Sequence, residues 1–398
     1  MADVAAILPV RRPVEDERQT AIERNAAGPL FSRGLWRIAS ADVSSGNRVR
    51  LLRDGPATFD AMIALIEAAR ERVQLESYIV RSDEVGERFA VALIAAAQRG
   101  VRVQLLCDWI GMRGTSRNWI ARLKTAGVEV LVFNKPGLRR WLGIVPRDHR
   151  KLLVTDDRSG ITGGVGLGVE WTTGVQKKRR QRWRDTAVCI EGKAAHDMAN
   201  AFETMWNRAQ GKERRGSHRL ISRKATHTHL DPARHEPALV GIIEGEPGRL
   251  RVARALQMQA VAAERSIWIA SAYFVPSFAE IEALAGAARD GVDVRVLVPS
   301  RGDHAWIPWL TRRTYRRLLT NGVRIWEWRG EMMHAKTSVV DGRWVRVGST
   351  DFNPLGVAIN FELDAVIEDA ALGAEAEAMF LGDLDLSSEI TLRSKLLP

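Results

Sequence analysis

One short pattern that occurs twice constrains the fold of this chain more than any other feature. Each copy has a histidine, a lysine two positions later and an aspartate five positions after that: His149, Lys151 and Asp156, then His334, Lys336 and Asp341. Residues two apart on a strand point to the same face, so each histidine can act together with its lysine. The repeat predicts two equivalent halves whose motif faces meet and hold a phosphate between two histidines.

The repetition extends to the segments around each motif and predicts the fold class. The apolar runs at 75–80 and 269–275 each suit a buried strand. Helical spacing follows at 89–99 and 281–289, each ending at a glycine, and strands then resume. Such alternation predicts an α/β fold with two duplicated halves, each a mixed, mostly parallel sheet flanked by helices. We expect the halves to pack with pseudo-two-fold symmetry around one active site.

Composition divides the chain into four predicted segments. They are an N-terminal arm at 1–47, a first half at 48–210, a basic linker at 211–247 and a second half at 248–398. The linker holds four histidines without a cysteine or paired carboxylate: His218, His227, His229 and His235. We interpret it as a solvated loop and predict no metal site. Cys107 and Cys189 lie in apolar stretches, which favours buried thiols.

The net charge indicates an anionic partner. Lysine and arginine total 59 against 48 acidic residues, which gives a formal charge of +11. This balance favours phospholipid surfaces or nucleic acid, and charge alone does not choose between them. No apolar stretch reaches the roughly 18 residues that a membrane-spanning helix needs. A cytoplasmic protein, bound peripherally to the inner face of the cell membrane, is therefore expected.

The paired histidines and lysines favour phosphodiester chemistry without a cofactor. A neutral imidazole, with an ordinary pKa of about 6.5, can attack phosphorus, and a second, protonated imidazole can donate to the leaving alcohol. Lys151 and Lys336 would balance the charge of the phosphate oxygens. Asp156 precedes turn-forming residues and Asp341 precedes Gly342. Both aspartates are therefore expected to stabilise turns rather than to transfer protons.

The blocks HRKLLVTD and HAKTSVVD resemble the paired HxKxxxxD motifs of the phospholipase D superfamily. Within it the chain is most similar to bacterial cardiolipin synthases, through segments such as WRDTAVCIEG and HAKTSVVDGRWVRVGSTDFNPLG, and the similarity covers about residues 48–385. The resemblance implies a phosphatidyltransferase with a covalent phosphatidyl-histidine intermediate, a phosphatidylglycerol-like donor and an alcohol acceptor. It makes His149 the nucleophile and His334 the acid and then the base, although near-equivalent halves leave that order open.

The resemblance also implies roles for residues near the motifs. In the family a carboxylate downstream of each motif orients an imidazole, and Asp185 and Glu362 match those positions. Small and polar residues after the motifs are expected to bind substrate: Gly164, Gly166, Ser349, Asp351 and Asn353. The family usually has asparagine where this chain has Gly166 and Asp351, and losing one such donor costs about 3 kcal/mol. Asn353 is the candidate replacement, and Gly166→Asn is expected to raise the rate if the donor is limiting.

Three functions remain open from the sequence. Basic residues interleaved with tryptophan at 138–142 and 177–184, and an apolar patch at 306–310, favour an anionic bilayer and hence a phosphatidyltransferase or phospholipase. A phosphodiesterase that cleaves nucleic acid is the second, because the same chemistry serves any phosphodiester and a basic groove would follow a backbone. The third is a catalytically impaired phospholipid-binding protein, which Gly166 and Asp351 make credible.

Overall fold

A mixed sheet of fifteen strands organises the part of the chain that the computed structural model describes, residues 34, 37–41, 43–135, 146–172, 182–212, 238–304 and 306–394. The first half contains, in chain order, β1 (Val43–Arg53), α1 (Asp54–Ala68), β2 (Arg72–Ser77), α2 (Glu84–Gln98), β3 (Arg102–Asp108), α3 (Arg117–Thr125), β4 (Glu129–Phe133), β5 (Lys151–Thr155), β6 (Ser159–Gly163), β7 (Thr186–Glu191) and α4 (Lys193–Ala209). The second half contains β8 (Ala238–Gly245), α5 (Arg251–Ala262), β9 (Ser266–Ser271), α6 (Phe278–Arg289), β10 (Asp293–Pro299), α7 (Trp306–Thr320), β11 (Arg324–Trp328), β12 (Lys336–Val340), β13 (Trp344–Gly348), β14 (Glu362–Glu368), α8 (Ala370–Asp385) and β15 (Ser387–Ile390).

The strand order displays the duplication directly. From edge to edge it is β15-β11-β10-β9-β12-β13-β14-β8-β1-β7-β6-β5-β2-β3-β4, so both halves repeat one order outward from the antiparallel β8–β1 pair. The last helix of each half also packs on the first strand of the other half, α4 on β8 and α8 on β1. Side chains of both helices share one apolar core, including Phe202 and Phe380. The predicted α/β fold with two duplicated halves is confirmed.

The balance of strand directions differs from the expectation. Only β2–β3, β3–β4, β9–β10 and β10–β11 pair in parallel among the described strands, and the other pairs are antiparallel. The prediction of mostly parallel sheets was therefore wrong, although the sheet is mixed. Helical crossovers make the parallel pairs, whereas the strands that carry the motifs return through short turns and must run antiparallel.

Local signals explain where the predicted helices begin and end. Asp83 caps α2 by accepting from the N–H groups of Val85 and Gly86, and Ser277 forms a capping box with Glu280 at α6. Both helices therefore begin earlier than their alanine-rich spacing suggests. Glycines with positive φ follow both helices, as the sequence predicted.

Two predicted segment boundaries need correction. β1 begins at Val43, inside the predicted arm at 1–47, and β8 lies inside the predicted linker at 211–247. The basic composition at the start of that linker concealed the apolar run that forms β8. The four linker histidines, most of the arm and the basic runs at 138–142 and 177–181 lie outside the described residues.

Cys107 and Cys189 are buried and free. Within the described ranges, no helix combines the length and apolar character needed to cross a bilayer.

Candidate active site

The repeated motifs lie where the two halves meet. Each histidine precedes the strand that begins with its lysine, β5 or β12. The main-chain N–H of His149 donates to the carbonyl of Phe361 at 2.9 Å, and that of His334 donates to the carbonyl of Arg184 at 2.7 Å. Both acceptors belong to the opposite half, so each histidine is held by the main chain of the other repeat.

Each imidazole is also paired with a carboxylate from the opposite half. Nδ1 of His149 lies 3.1 Å from both carboxylate oxygens of Glu362, and Nδ1 of His334 lies 2.7 Å from Oδ2 of Asp185. Glu362 begins β14 in the second half, and Asp185 precedes β7 in the first. A carboxylate on Nδ1 fixes the ring and leaves Nε2 to act on a substrate. Neither half could form a complete histidine–carboxylate pair alone.

Two buried lysines place positive charge beside the histidines. Nζ of Lys151 donates to the carbonyl of His149, and Nζ of Lys336 donates to that of His334, both at 2.7 Å. Lys336 also lies 3.1 Å from Nε2 of His334 and 3.4 Å from Oδ2 of Asp351. Burial lowers the pKa of Lys151 to about 8, and the charge of Lys336 adds to this shift. Two buried ammonium groups beside the histidines suit an anionic phosphodiester.

Both imidazoles are neutral near pH 7. Burial lowers the pKa of His149 well below its usual value, and the charges of Lys151 and Lys336 lower it further. Burial lowers the pKa of His334 well below its usual value, and the charges of Lys336 and Lys151 lower it further. A neutral ring has the lone pair needed to attack phosphorus. A bound phosphodiester adds negative charge, which favours protonation of the second ring.

The two orienting carboxylates receive hydrogen bonds from different donors. Burial raises the pKa of Glu362 to about 8 and that of Asp185 to about 6. The hydroxyl of Ser349 donates to Glu362, whereas the indole Nε1–H of Trp171 donates to Oδ2 of Asp185 at 2.8 Å. Gly164 is equivalent to Ser349, and a Cβ there would collide with the carboxylate of Asp185. The first half has no room for a serine donor and uses the indole instead.

Space explains the glycine at one position where the family has asparagine. A Cβ on Gly166 would lie 2.7 Å from Cη2 of Trp171, so the indole fills the space that an asparagine needs. An added side chain at 166 would collide with this buried ring unless the ring moves, which argues against a gain in rate, and the effect of Gly166→Asn stays a prediction. Sequence reasoning missed Trp171. The sequence signal that could have found it is Gly166, where the family has asparagine, followed five residues later by a tryptophan.

At the other such position, Asp351 faces Lys336 and a loop. Its Oδ1 accepts from the N–H of Tyr273 at 3.1 Å, and burial raises its pKa while Lys336 opposes that rise. The amide of Asn353 donates to the carbonyl of Tyr273 at 3.1 Å, and its oxygen accepts from two N–H groups of the short helix Leu355–Ile359. Asn353 stabilises this loop, so its expected role as the replacement phosphate donor is not supported.

Aromatic rings outside the repeated motifs surround the histidines. Tyr78 packs edge-on against His149 with 4.9 Å between ring centroids, and Tyr273 packs edge-on against His334 at 6.1 Å. Two indoles contact His334 with centroids at 5.5 and 5.2 Å: Trp171 and Trp183. The tyrosines follow equivalent strands, β2 and β9, so the duplication was the signal that could have found them.

Asp156 and Asp341 make the contacts of turn residues. Both have a left-handed main chain, with φ of 51° and 54°. Asp156 accepts from the N–H groups of residues 70–72 and Asp341 from those of residues 264–266, at 2.8 to 3.0 Å. Each carboxylate thus joins its turn to the start of a neighbouring strand, β2 or β9.

Comparison with known proteins places this geometry in a family. The family model described as cardiolipin synthase, PLD-like domain, matches residues 62–206 and 258–384. Cardiolipin synthase of Geobacillus sp. (strain WCH70) is 33% identical over 94% of this chain and 74% of its own length. Cardiolipin synthase A of Pseudomonas aeruginosa (strain LESB58) is 32% identical over 96% of this chain and 75% of its own length.

A solved structure supports the likeness of fold. Phosphatidylserine synthase of Haemophilus influenzae Rd KW20 is similar with a TM-score of 0.67, covering 90% of this chain and 91% of that chain at 13% identity. The duplicated fold and its crosswise histidine–carboxylate pairs define a phospholipase D-like protein. More particularly, the chain belongs to the cardiolipin synthase, PLD-like domain, family. The family resemblance of the two motif blocks is thereby confirmed.

Proposed function

We propose that the protein is a phospholipase D-type phosphatidyltransferase that works through a phosphatidyl-histidine intermediate. The observation that carries this proposal is the crosswise pairing of His149 with Glu362 and of His334 with Asp185. Two ring nitrogens beside two buried ammonium groups supply a nucleophile, a proton donor and charge balance for one phosphodiester.

In the first step, Nε2 of His149 attacks the phosphorus of the donor phospholipid. A nitrogen–phosphorus bond forms, the bond from phosphorus to the headgroup oxygen breaks, and His334 gives its proton to that oxygen. The side chain of His149 is 14% exposed and that of His334 only 4%. Lys336 also contacts Nε2 of His334. These differences favour His149 as the nucleophile, in agreement with the family resemblance.

In the second step, an acceptor alcohol attacks the intermediate. Its hydroxyl proton passes to Nε2 of His334 as its oxygen bonds to phosphorus. The electron pair of the nitrogen–phosphorus bond returns to His149, which restores both rings. Water in place of the alcohol would give phosphatidic acid.

The proposed donor is an anionic, phosphatidylglycerol-like phospholipid, and the acceptor is an alcohol group. The names of the relatives, cardiolipin synthase, and the formal charge of +11 support this choice. We place the enzyme peripherally on the inner face of the cell membrane. Trp306 and Trp309 are more than half exposed at the start of α7, and Arg313 stacks on Trp309. Exposed indoles next to arginine suit an anionic headgroup region.

Incubation of the purified chain with phosphatidylglycerol vesicles, and separately with single-stranded DNA, tests the proposal. We expect cardiolipin or phosphatidic acid on thin-layer chromatography and DNA of unchanged length. Shortened DNA with unchanged lipid would identify a nuclease instead. Lipid binding without turnover would identify an impaired phospholipid-binding member of the family.

Histidine variants test the intermediate. We expect His334→Ala to slow product formation by about 100- to 10,000-fold, the usual contribution of a general acid or base. His149→Ala should abolish the covalent adduct formed from a radiolabelled phosphatidyl donor. His196→Ala is the matched control, because His196 is half exposed on α4 and pairs with Asp157. Near-normal turnover of either site variant would contradict a shared centre, and an adduct in His149→Ala would reverse the two roles.

A further inference from the structure

We propose that Tyr273, Asp303 and His304 form an acceptor subsite beside His334, which binds neighbouring hydroxyl groups of a polyol such as a glycerol headgroup. This inference rests on the proposed function and names the residues that select the acceptor. Tyr273 follows β9, and the other two residues lie in the loop between β10 and α7. All three lie outside the repeated motif.

A chain of contacts leads from His334 towards the surface. The ring of Tyr273 packs edge-on against His334, and its hydroxyl donates to the carboxylate of Asp303 at 2.8 and 2.9 Å. Nε2 of His304 lies 3.8 Å from Oδ2 of Asp303. The ring of Trp306 follows, 6.5 Å from that of His304. Asp303 is thus held one tyrosine side chain away from the proposed acid–base histidine.

The polar groups of this subsite are open to a ligand. The side chain of Asp303 is 30% exposed and that of His304 is 59% exposed. A carboxylate has about four lone-pair sites, so the bond from Tyr273 leaves room for further hydroxyl donors. The imidazole of His304 can donate to or accept from one of the same hydroxyls. The arrangement therefore provides at least two contacts to adjacent hydroxyl groups.

The charge of the subsite favours neutral hydroxyls over phosphate. A carboxylate repels a phosphodiester, so Asp303 is a poor neighbour for the phosphate of the donor. The corresponding loop in the first half, after β3, is crossed instead by Arg81, which donates to the carbonyls of Gly111 and Arg113. The first half also has a carboxylate at this loop, Asp108, but it is buried and lies 3.7 Å from Arg147, whereas Asp303 on the side of His334 is 30% exposed. That is the side on which the acceptor hydroxyl must lose its proton.

The subsite positions an acceptor for the second chemical step. One hydroxyl of the polyol binds Asp303 and His304, and the adjacent hydroxyl reaches Nε2 of His334. The proton of that hydroxyl passes to His334, its oxygen bonds to phosphorus, and the bond between phosphorus and His149 breaks. Water and simple alcohols lack the second hydroxyl and gain nothing from the subsite.

Competition between acceptors tests this assignment. The full chain receives phosphatidylglycerol vesicles with radiolabelled glycerol or with ethanol, and the labelled phosphatidylglycerol, phosphatidylethanol and phosphatidic acid are quantified. For Asp303→Asn we expect the KM for glycerol to rise about 10- to 100-fold, as for a lost hydrogen bond to a charged group. The glycerol that leaves the donor passes through the same subsite, so any slowing of the first step is shared by all products. The ratio of transfer to glycerol over transfer to ethanol should therefore fall about 10- to 100-fold.

Two further variants keep the test decisive. Tyr273→Phe retains the ring on His334 but removes the hydroxyl that fixes Asp303, so it should lose glycerol selectivity in the same way. Asp290→Asn, at an exposed aspartate just after α6, is the matched control. Unchanged selectivity in both site variants, or an equal loss for all acceptors, would overturn the subsite alone. A parent chain that forms neither these products nor cardiolipin would refute the proposed function and the subsite with it.

Discussion

Among the individual residues, Trp171 has the largest role that the repeated pattern did not predict. Its indole donates to the same oxygen of Asp185 that contacts His334, and its ring fills the space beside Gly166. A buried carboxylate is costly unless it is hydrogen-bonded, so this donor helps Asp185 to remain an anion opposite a protonated ring. Trp171 acts through Asp185 and is therefore a positioning residue.

We expect Trp171→Phe to lower kcat/KM by about 10- to 100-fold, because a hydrogen bond to an ionised group contributes about 1.5–3 kcal/mol. Burial raises the pKa of Asp185 to about 6, and the indole opposes that rise. Loss of the indole raises the pKa further, so Asp185 ionises only at higher pH. The acidic limb of the kcat/KM profile should therefore move to higher pH.

A second tryptophan provides the control for this measurement. Trp119 also donates a buried indole hydrogen bond, to the carbonyl of Gly86 at 3.2 Å, away from the histidines. Trp119→Phe should leave the acidic limb in place. If Trp171→Phe changes stability but not the limb, the indole has only a packing role.

Among the elements, the turns after β5 and β12 are each fixed by one aspartate. We expect Asp156→Ala to lower the free energy of unfolding by about 1–3 kcal/mol at pH 7, because three main-chain donors lose their acceptor. Burial tends to raise the pKa of Asp156, but those N–H groups outweigh it and the pKa is lowered. With an unfolded value of about 3.9, the stabilisation is present above that pH and is lost as pH falls through the folded value.

Urea unfolding of parent and variant at several pH values measures this effect. The gap between their midpoints should close as the pH falls below about 4. Asp60→Ala is the control, because Asp60 is exposed and pairs with Arg88 on the surface, where such pairs contribute about 0–1 kcal/mol. A gap that persists at low pH would mean that Asp156 stabilises the turn without its charge.

Elements with strong local signals could be predicted, and those that depend on distant contacts could not. Alanine-rich spacing and a terminal glycine located α2 and α6, and repetition located the histidine–lysine pairs. The crosswise pairing with Glu362 and Asp185 depends on how the halves dock, which spacing along one chain does not encode. Trp171 was missed for the same reason, since its partner is reached only through the fold.

Across the whole molecule, a buried arginine joins the halves next to the site. Arg184 lies 2.8 Å from Asp383 of α8 and 3.3 Å from Asp54 of α1. Its carbonyl accepts from the main-chain N–H of His334, and the next residue is Asp185. Docking of the halves and orientation of His334 therefore depend on one short segment.

We expect Asp383→Ala to lower the free energy of unfolding by about 3–5 kcal/mol, because removing one partner of a buried pair leaves an uncompensated charge. Turnover should fall as well, since the segment that holds His334 loses its support. Thermal unfolding and initial rates measure both. Asp385→Ala is the matched control on the same helix, where the side chain is exposed. Equal unfolding midpoints for the two variants would contradict a stabilising contact at this position.

The crosswise hydrogen bonds also bear on how such a chain can evolve. A mutation that displaces one strand disturbs the ring carried by the other copy, so a compensating change must arise on the opposite side. The copies have accordingly diverged in chemistry, with serine opposite glycine and glutamate opposite aspartate, while their connections persist. In a chain duplicated in this way, a substitution near the site of one copy is tolerated only when the other copy remains compatible with it.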